Sequence, residues 1–413
     1  MINTRSKQFI LLLFASFGYS QTAPVITSNG GGSTASISYV DTSTSVVTTV
    51  TSSDADNSAI NPSFAAEDIA TSADGATSVY AADLDGDGDM DIVSASINDD
   101  TIAWYENNGA ANPTWTAQNI DTNADGAKSV YAADMDGDGD IDIISASSND
   151  NTIAWYENNG AADPTWTAQD ITTSAAGASS VYAADMDGDG DMDIISASWY
   201  DNAIAWYENN GTADPSFAAQ NIAASATNAT SVYAADMDGD GDIDIVSASY
   251  GDDTIAWYEN DGAADPTWSA SNIATNMDRA QSVFSADMDG DGDIDIVAAS
   301  AGYDTIAWYE NDGASDPTWT AADIATSADG VQSVYAADMD GDGDMDIVSA
   351  SQIDNTIAWY ENNGALNPSW NAQIIATSAA WAFSVFAADM DGDGDMDIVS
   401  ASNSDDTIAW YES

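Results

Sequence analysis

The chain has 413 residues, of which 70 are acidic and only four are basic, and it has neither histidine nor cysteine. So strong a negative charge makes nucleic acid and anionic lipid poor partners. The absence of cysteine excludes a disulfide-stabilised fold.

Residues 1–20 have the pattern of a secretory signal. Arg5 and Lys7 precede an apolar run from Phe9 to Phe17, and Gly18 and Ser20 are small residues of the kind a signal peptidase prefers. A membrane anchor would need about 18 apolar residues or more, roughly twice this run. We therefore expect a cleaved signal peptide and a secreted protein, extracellular or at the cell surface, with no membrane span.

Residues 21–58 form a leader rich in Ser, Thr and Val. The stretches "TASISYV" and "SVVTTVTSSDAD" indicate two strands, and the segment resembles the opening of a bacterial cadherin-like module cut off after its first Asp-Ala-Asp. It is too short to bury a core of its own. We expect it to pack on the main domain or to act as a spacer.

The rest of the chain is a repeat. A nine-residue acidic pattern recurs every 51 residues, and its first residues are Asp83, Asp134, Asp185, Asp236, Asp287, Asp338 and Asp389. Seven patterns of five aspartates give 35 of the 70 acidic residues. A fixed period of this length indicates a solenoid, an array or a propeller.

Each repeat predicts four short strands. In the first repeat they are residues 62–70, 78–83, 91–96 and 101–107, which are rich in β-branched and aromatic residues and separated by Gly, Asn, Asp and Pro. Four antiparallel strands per unit are typical of a propeller blade. We predict an all-β, seven-bladed β-propeller over residues 59–413, in which the N-terminal strand 62–70 completes the last blade and closes the ring.

The acidic pattern predicts a calcium loop. Two unit charges about 4 Å apart repel by roughly 4 kcal/mol at an effective dielectric of about 20, so five alternating aspartates favour a bound cation. Side chains at positions 1, 3, 5 and 9 and the carbonyl of position 7 would supply the oxygen ligands that Ca²⁺ prefers. The loop is not an EF-hand, because Ser94 stands at position 12. The alternative is an acidic hairpin that only keeps the protein soluble.

We expect about seven Ca²⁺ ions, one in each loop. The candidate metal residues are Asp83, Asp85, Asp87, Asp89 and Asp91; Asp134, Asp136, Asp138, Asp140 and Asp142; Asp185, Asp187, Asp189, Asp191 and Asp193; Asp236, Asp238, Asp240, Asp242 and Asp244; Asp287, Asp289, Asp291, Asp293 and Asp295; Asp338, Asp340, Asp342, Asp344 and Asp346; and Asp389, Asp391, Asp393, Asp395 and Asp397.

Through the D-x-D-x-D-G-x-x-D loop, residues 61–413 resemble the FG-GAP or VCBS repeat proteins, which include the propellers of integrin α chains and many secreted bacterial proteins. The resemblance implies that Asp83, Asp85, Asp87 and Asp91, with the carbonyl of Asp89, bind calcium in the first blade, and that the matching residues do so in the others. The Phe-Gly and Gly-Ala-Pro signatures of the family are replaced here by "VYAAD" and "VSAS".

Successive strands of a blade run in opposite directions, so some loops lie on the face opposite the acidic loops. The seven repeats differ mainly in these loops. These variable loops contain Lys128 and Arg279, the only basic residues after the signal, and exposed aromatics suited to a protein or a glycan. Neutral drift is the alternative. The candidate ligand-face residues are Lys128, Trp199, Tyr200, Tyr250, Arg279, Tyr303, Trp381 and Phe383. Trp104 and Tyr105 recur in every repeat, which predicts packing between blades.

These features favour a monomeric, secreted binding or adhesion module for an extracellular protein or glycan. A calcium-dependent lectin with equivalent sugar sites between the blades is the alternative. A polysaccharide-degrading enzyme is less favoured, because there is no histidine and no distinctive carboxylate pair. Seven of the eight glutamates occupy the repeated Glu106 position, and Glu67 lies on the closing strand.

Overall fold

The computed structural model describes residues 62–413 and, before them, only the backbone of two paired strands, β1 (Val25–Thr27) and β2 (Ser36–Ser38). The chain divides into two units, Met1–Ile60 and Asn61–Ser413. Strand β2 lies within the predicted "TASISYV" strand. The second predicted leader strand and the predicted signal peptide lie outside the described residues.

The second unit contains only strands among its described elements. They are β3 (Ala65–Ala70), β4 (Ala76–Ala82), β5 (Asp91–Ser96), β6 (Thr101–Asn107), β7 (Trp115–Asp121), β8 (Ala127–Ala133), β9 (Asp142–Ser147), β10 (Thr152–Asn158), β11 (Trp166–Thr172), β12 (Ala178–Ala184), β13 (Asp193–Ser198), β14 (Ala203–Asn209), β15 (Phe217–Ala223), β16 (Ala229–Ala235), β17 (Asp244–Ser249), β18 (Thr254–Asn260), β19 (Trp268–Ala274), β20 (Ala280–Ala286), β21 (Asp295–Ser300), β22 (Thr305–Asn311), β23 (Trp319–Ala325), β24 (Val331–Ala337), β25 (Asp346–Ser351), β26 (Thr356–Asn362), β27 (Trp370–Ala376), β28 (Ala382–Ala388), β29 (Asp397–Ser402) and β30 (Thr407–Glu412). Among the described residues, no helix could cross a membrane.

These strands form a seven-bladed β-propeller, as predicted. Each of blades 1 to 6 takes four consecutive antiparallel strands from the centre outwards, beginning with β4, β5, β6 and β7. Blade 7 has the order β28, β29, β30 and β3, so the N-terminal strand supplies its outer strand and closes the ring. The prediction that the N-terminal strand completes the last blade and closes the ring is confirmed.

The strand limits differ slightly from the predicted ones. The inner strand of blade 1 begins at Ala76 instead of residue 78, because a bulge between Ala76 and Ser78 extends its pairing with β5. The outer closing strand begins at Ala65, three residues after the proline that opens the predicted segment. The strands predicted at residues 91–96 and 101–107 match β5 and β6.

The core lies between the blades. Trp104 is fully buried against Val130 and Tyr156 of blade 2, whereas Tyr105 packs on Val399 and Trp410 of blade 7. Neighbouring side chains on a strand point to opposite faces, so the repeated Trp-Tyr pair covers both sides of each blade. The prediction that these residues pack between blades is confirmed.

Two closed rings join the inner strands at the centre. Seven aromatic side chains contact in sequence and back to the first, with ring centroids 4.5 to 4.7 Å apart; they are Tyr80, Tyr131, Tyr182, Tyr233, Phe284, Tyr335 and Phe386. Beside them, a serine of each inner strand accepts a hydrogen bond from a valine N–H of the next blade, from Ser78 and Val130 round to Ser384 and Val79.

The closing strand should therefore carry a measurable share of the stability. We expect a chain that begins at Thr71 to have a lower free energy of unfolding than one that begins at Asn61, by at most about 3 to 6 kcal/mol, since full burial of a side chain contributes about 1.5 to 3 kcal/mol and Phe64 and Ile69 are partly buried. In the intact fold Phe64 packs on Trp359 and Ile69 on the cluster shared by blades 7 and 1. Denaturant unfolding of the two chains measures the difference, and equal midpoints would contradict it.

Candidate metal centres and ligand face

The nine-residue acidic loops connect the first and second strands of the blades. In blade 1 the loop runs from Asp83 to Asp91, and Gly86 and Gly88 adopt left-handed φ angles of 74° and 98° that favour glycine. These two turns bend the loop on itself. Gly88 N–H donates to Asp83 Oδ2 at 3.0 Å and so fixes the first carboxylate across the loop.

The bend brings several carboxylates of one loop together. In blades 1, 3, 4 and 5, oxygens from positions 1, 3 and 5 lie within 4.8 Å of one another, and in blade 2 the trio comes from positions 1, 3 and 9. Burial first, and then the neighbouring carboxylates, raise the pKa of the position-3 aspartates, which reaches about 6 at Asp340. Such a cluster is destabilised by its own charge unless a cation binds it.

Some buried carboxylate oxygens have no hydrogen-bond donor, which also indicates that the loops need a cation. Asp83 Oδ1, Asp338 Oδ1 and Asp340 Oδ2 are buried and accept no hydrogen bond. A buried carboxylate oxygen is normally paired or bound to a metal. The donor set of several carboxylates without nitrogen or sulfur suits a hard cation such as Ca²⁺. The residues present therefore fit the ion expected from the sequence.

The last aspartate of each loop lies deepest. Asp91 is almost fully buried and accepts hydrogen bonds from Leu84 N–H at 3.1 Å and from Asn107 N–H at 2.7 Å. Burial raises its pKa to about 7, and these two N–H groups oppose that rise. Asp91 therefore anchors the loop to the third strand of its own blade, and its counterparts do the same.

The position-7 side chains lie elsewhere. Asp89 packs over Gly109 in the turn between the third and fourth strands, where a Cβ atom would overlap its Oδ2. The same contact recurs up to Asp344 and Gly364 in blade 6. These side chains are thus not part of the carboxylate trios, which agrees with the expectation that position 7 offers its carbonyl. The contact also shows that both connections lie on one face of the propeller, which we call the acidic-loop face.

An asparagine at the end of the third strand, Asn107 in blade 1, joins neighbouring acidic loops. The sequence-based predictions did not include it. Asn107 Nδ2 donates to Met90 O of its own loop at 2.9 Å and to Met390 O of the preceding blade's loop at 2.8 Å. Blades 2 to 6 repeat both bonds, but Ser413 stands at this position in blade 7. The recurrence of Asn after "WYE" in six of the seven repeats was the available signal.

The acidic-loop face also has clefts between blades. A cleft of about 430 Å³ between blades 1 and 2 is lined by Asp83 and Asp85 on one side and by Asp140 and Asn158 on the other. An equivalent cleft of about 300 Å³ lies between blades 3 and 4.

The opposite face carries the variable loops, and we call it the variable face. On blades 3 to 5 it has a stack in which the Trp199 and Tyr250 ring centroids are 5.0 Å apart and the Arg279 guanidinium lies 5.9 Å from the Tyr250 centroid. Three predicted ligand-face residues, Trp199, Tyr250 and Arg279, are therefore brought together. Tyr200 is 72 % exposed, and its ring lies against Gly177.

The other five predicted ligand-face residues, Tyr200 included, are not part of this stack. Tyr303 and Trp381 are exposed on blades 5 and 7. Lys128 and Phe383 occupy equivalent positions on the inner strands of blades 2 and 7 and are partly buried, and burial lowers the pKa of Lys128. Arg279 and Trp381 have φ angles of 57°, at a position where four other blades use glycine. A large side chain there costs backbone energy.

Comparison with known proteins gives a family and a fold. The family model described as FG-GAP-like repeat matches six overlapping segments, residues 83–145, 134–196, 185–247, 236–298, 287–349 and 339–400. No curated protein matches the sequence.

Solved structures with the same fold include BBS1N in complex with ARL6DN, in crystals soaked with lead or mercury. They have TM-scores of 0.55 and identities of 10 % and 11 %, and the matches cover 84 % of this chain and 94 % of theirs. A protein from Lactobacillus plantarum has a TM-score of 0.54 and 15 % identity over 75 % of this chain and 86 % of its own.

One loop can test the carboxylate assignment. We expect Asp238→Asn in blade 4 to lower the number of bound calcium ions by one in a calorimetric titration, because Asp238 belongs to the trio. Asp242→Asn is the matched control, since it removes the same charge from a side chain that lies over Gly262. An equal loss in both variants would mean that net charge alone attracts the ion.

Proposed function

The chain belongs to the FG-GAP-like repeat family, and from that membership we propose that it is a secreted, calcium-binding β-propeller that acts as an adhesion or ligand-binding module. Its subtype is that of the integrin-α-like propellers of secreted bacterial proteins. The signal-like residues 1–20 support export, and extracellular fluid supplies the calcium.

Calcium serves the structure in this proposal. The three-carboxylate clusters and the orphaned oxygens of Asp83 and Asp338 support an ion in each loop. Extracellular calcium modules have dissociation constants of about 10⁻⁴ to 10⁻³ M. Because the loops are joined through Asn107 and its counterparts, an ion in one loop also restrains the neighbouring blade.

The difference between the two faces carries the functional proposal. The acidic loops repeat the same five aspartates and two glycines in every blade, whereas the variable face has the Trp199, Tyr250 and Arg279 stack on blades 3 to 5. Within residues 62–413, Arg279 donates a hydrogen bond only through its backbone N–H, to Asp253 Oδ1 at 3.0 Å. Its guanidinium lies over the Tyr250 ring, and within the same residues its N–H groups donate no hydrogen bond. A stacked arginine among aromatics is typical of a binding hot spot.

An extracellular protein is the partner class that we favour. The structurally similar BBS1N was crystallised with ARL6DN, so a propeller of this fold is known with a protein partner. The strongly acidic chain makes nucleic acid an unsuitable partner. We propose no enzymatic activity, since the chain has no histidine and its repeated acids belong to the loops.

A calcium-dependent lectin is the second candidate, and the inter-blade clefts favour it. Clefts between blades 1 and 2 and between blades 3 and 4 have the same lining, with aspartates of one loop facing an asparagine of the next blade. Repeated clefts of this kind would give several equivalent sugar sites, as the sequence led us to expect of a lectin.

Bound calcium should raise the free energy of unfolding and reverse the way in which that free energy depends on pH. Seven sites at a hundredfold excess of ligand would each contribute about 2.7 kcal/mol, so we expect a large rise in melting temperature with calcium. Without metal, the folded-state pKa of Asp91 and five counterparts is about 7, above the value of 3.8 expected for an unfolded aspartate. The folded state then holds more protons, so its stability falls as pH rises from about 4 to 7.

Calorimetry of resin-stripped and calcium-loaded protein at pH 5 and pH 7.5 measures both effects. The stripped protein should melt lower at pH 7.5 than at pH 5, and the loaded protein should not, because protons compete with the ion. Identical curves with and without calcium would refute the structural role of the ion.

The ligand face can be tested with residues that other blades already carry. We expect Trp199→Ser, Tyr250→Ser and Arg279→Gly together to abolish binding to extracellular proteins without changing the melting temperature, because blade 2 has Ser148 and Gly126 at these positions. Binding of the calcium-loaded protein to a panel of extracellular proteins and to a glycan array is the measurement. Glycan binding that the triple variant retains would favour the lectin and its inter-blade clefts.

A further inference from the structure

The outer edge of blade 6 differs from the other six edges. From Asn362 to Ala388, through β27 and the link to β28, the sequence has no charged residue, whereas every corresponding segment in the other blades contains at least one aspartate. In a chain with a formal charge of −66, this outer strand and its flanking connections carry no charge of their own, although Glu361 of β26 accepts a hydrogen bond from Asn371 Nδ2 at 3.0 Å.

Apolar side chains are exposed in the same segment. Ile374 of β27 is 60 % exposed, at a position where the other outer strands have asparagine or aspartate, such as Asn119 and Asp170. Leu366 in the preceding turn is 71 % exposed, where blades 1 to 4 have alanine and blade 5 has serine. Charged residues are one protection of an exposed strand edge, and β27 has none, although it keeps the polar Asn371 and Gln373.

The backbone of β27 is available as well. In the described part of the chain, β27 pairs only with β26, so the N–H and C=O groups of its outer side have no strand partner. An edge of this kind accepts an additional antiparallel strand. Paired backbone groups would supply the hydrogen bonds, and Ile374 and Leu366 the apolar contact.

The missing charge indicates what kind of partner fits. A basic partner would be attracted to the acidic surface elsewhere and would gain nothing from an uncharged edge. An acidic partner, in contrast, can approach closely only where the charge is absent. A second copy of this chain is acidic by necessity and carries the same neutral edge, and two identical strands can pair antiparallel about a two-fold axis.

We propose that two copies of this chain associate edge to edge through β27, joining their sixth blades into one eight-stranded sheet. This proposal replaces the sequence-based expectation of a monomer. The dimer leaves the variable face of both copies free, so it presents two ligand faces and doubles the valency of the module.

Two isoleucine substitutions provide the test. Ile374→Asn places on β27 the residue that β7 carries in blade 1, so the fold tolerates it. Ile353→Asn is the matched control, because Ile353 is 61 % exposed on the variable face and blade 1 has Asn98 there. Sedimentation velocity of the calcium-loaded protein measures the association, at physiological salt and at 1 M salt.

We expect the unchanged protein to dimerise at micromolar concentration, more strongly at high salt, because screening shortens the reach of the repulsion. Ile374→Asn should weaken the dimer at least tenfold, and Ile353→Asn should leave it unchanged. A monomer at both salt concentrations would overturn the proposal. A dimer that survives Ile374→Asn, or one that Ile353→Asn disrupts equally, would do the same by showing that another surface pairs.

Discussion

The structure depends on the fact that a single blade cannot bury its own apolar faces. Trp104 on one face and Tyr105 on the other are both covered by side chains of neighbouring blades, so every blade needs two neighbours. Only a closed ring gives each blade both. The closing strand β3, the central aromatic ring and the seven serine bonds between inner strands all serve that one requirement.

The acidic loops work against this packing unless a cation is present. Each loop is tied to its own blade through a buried aspartate such as Asp91, and the loops of blades 1 to 6 are tied to the preceding blade through Asn107 and its counterparts. Repulsion within a loop therefore strains the contact between two blades. In the proposed calcium-bound protein, the same hydrogen bonds would transmit the stabilisation from an ion that neutralises the carboxylates, so that ion binding would favour closure of the ring.

The acidic-loop face and the variable face differ in how far the seven repeats agree in sequence. The acidic loops keep the same five aspartates and two glycines in every blade, as the proposed ion in each loop would require. The variable face has no such requirement, and single blades carry residues found nowhere else, such as Arg279 and Trp381 in left-handed conformations. The rim of blade 6, with Ile374 and Leu366, is a third surface on which one blade departs from the repeat.

Much of this protein could be read from its sequence. The 51-residue period, the turn residues and the alternating aspartates were sufficient to predict seven blades, the strand offset that closes them and the candidate ligand set, because each is a local pattern repeated in register. What the sequence could not decide depends on contacts between residues far apart. Asn107 bonds to Met390, the Trp199 stack joins blades 3 to 5, and the exposure of Ile374 follows from its place on an outer edge. Only the closed tertiary structure brings such positions together, because it sets the curvature and spacing of the blades.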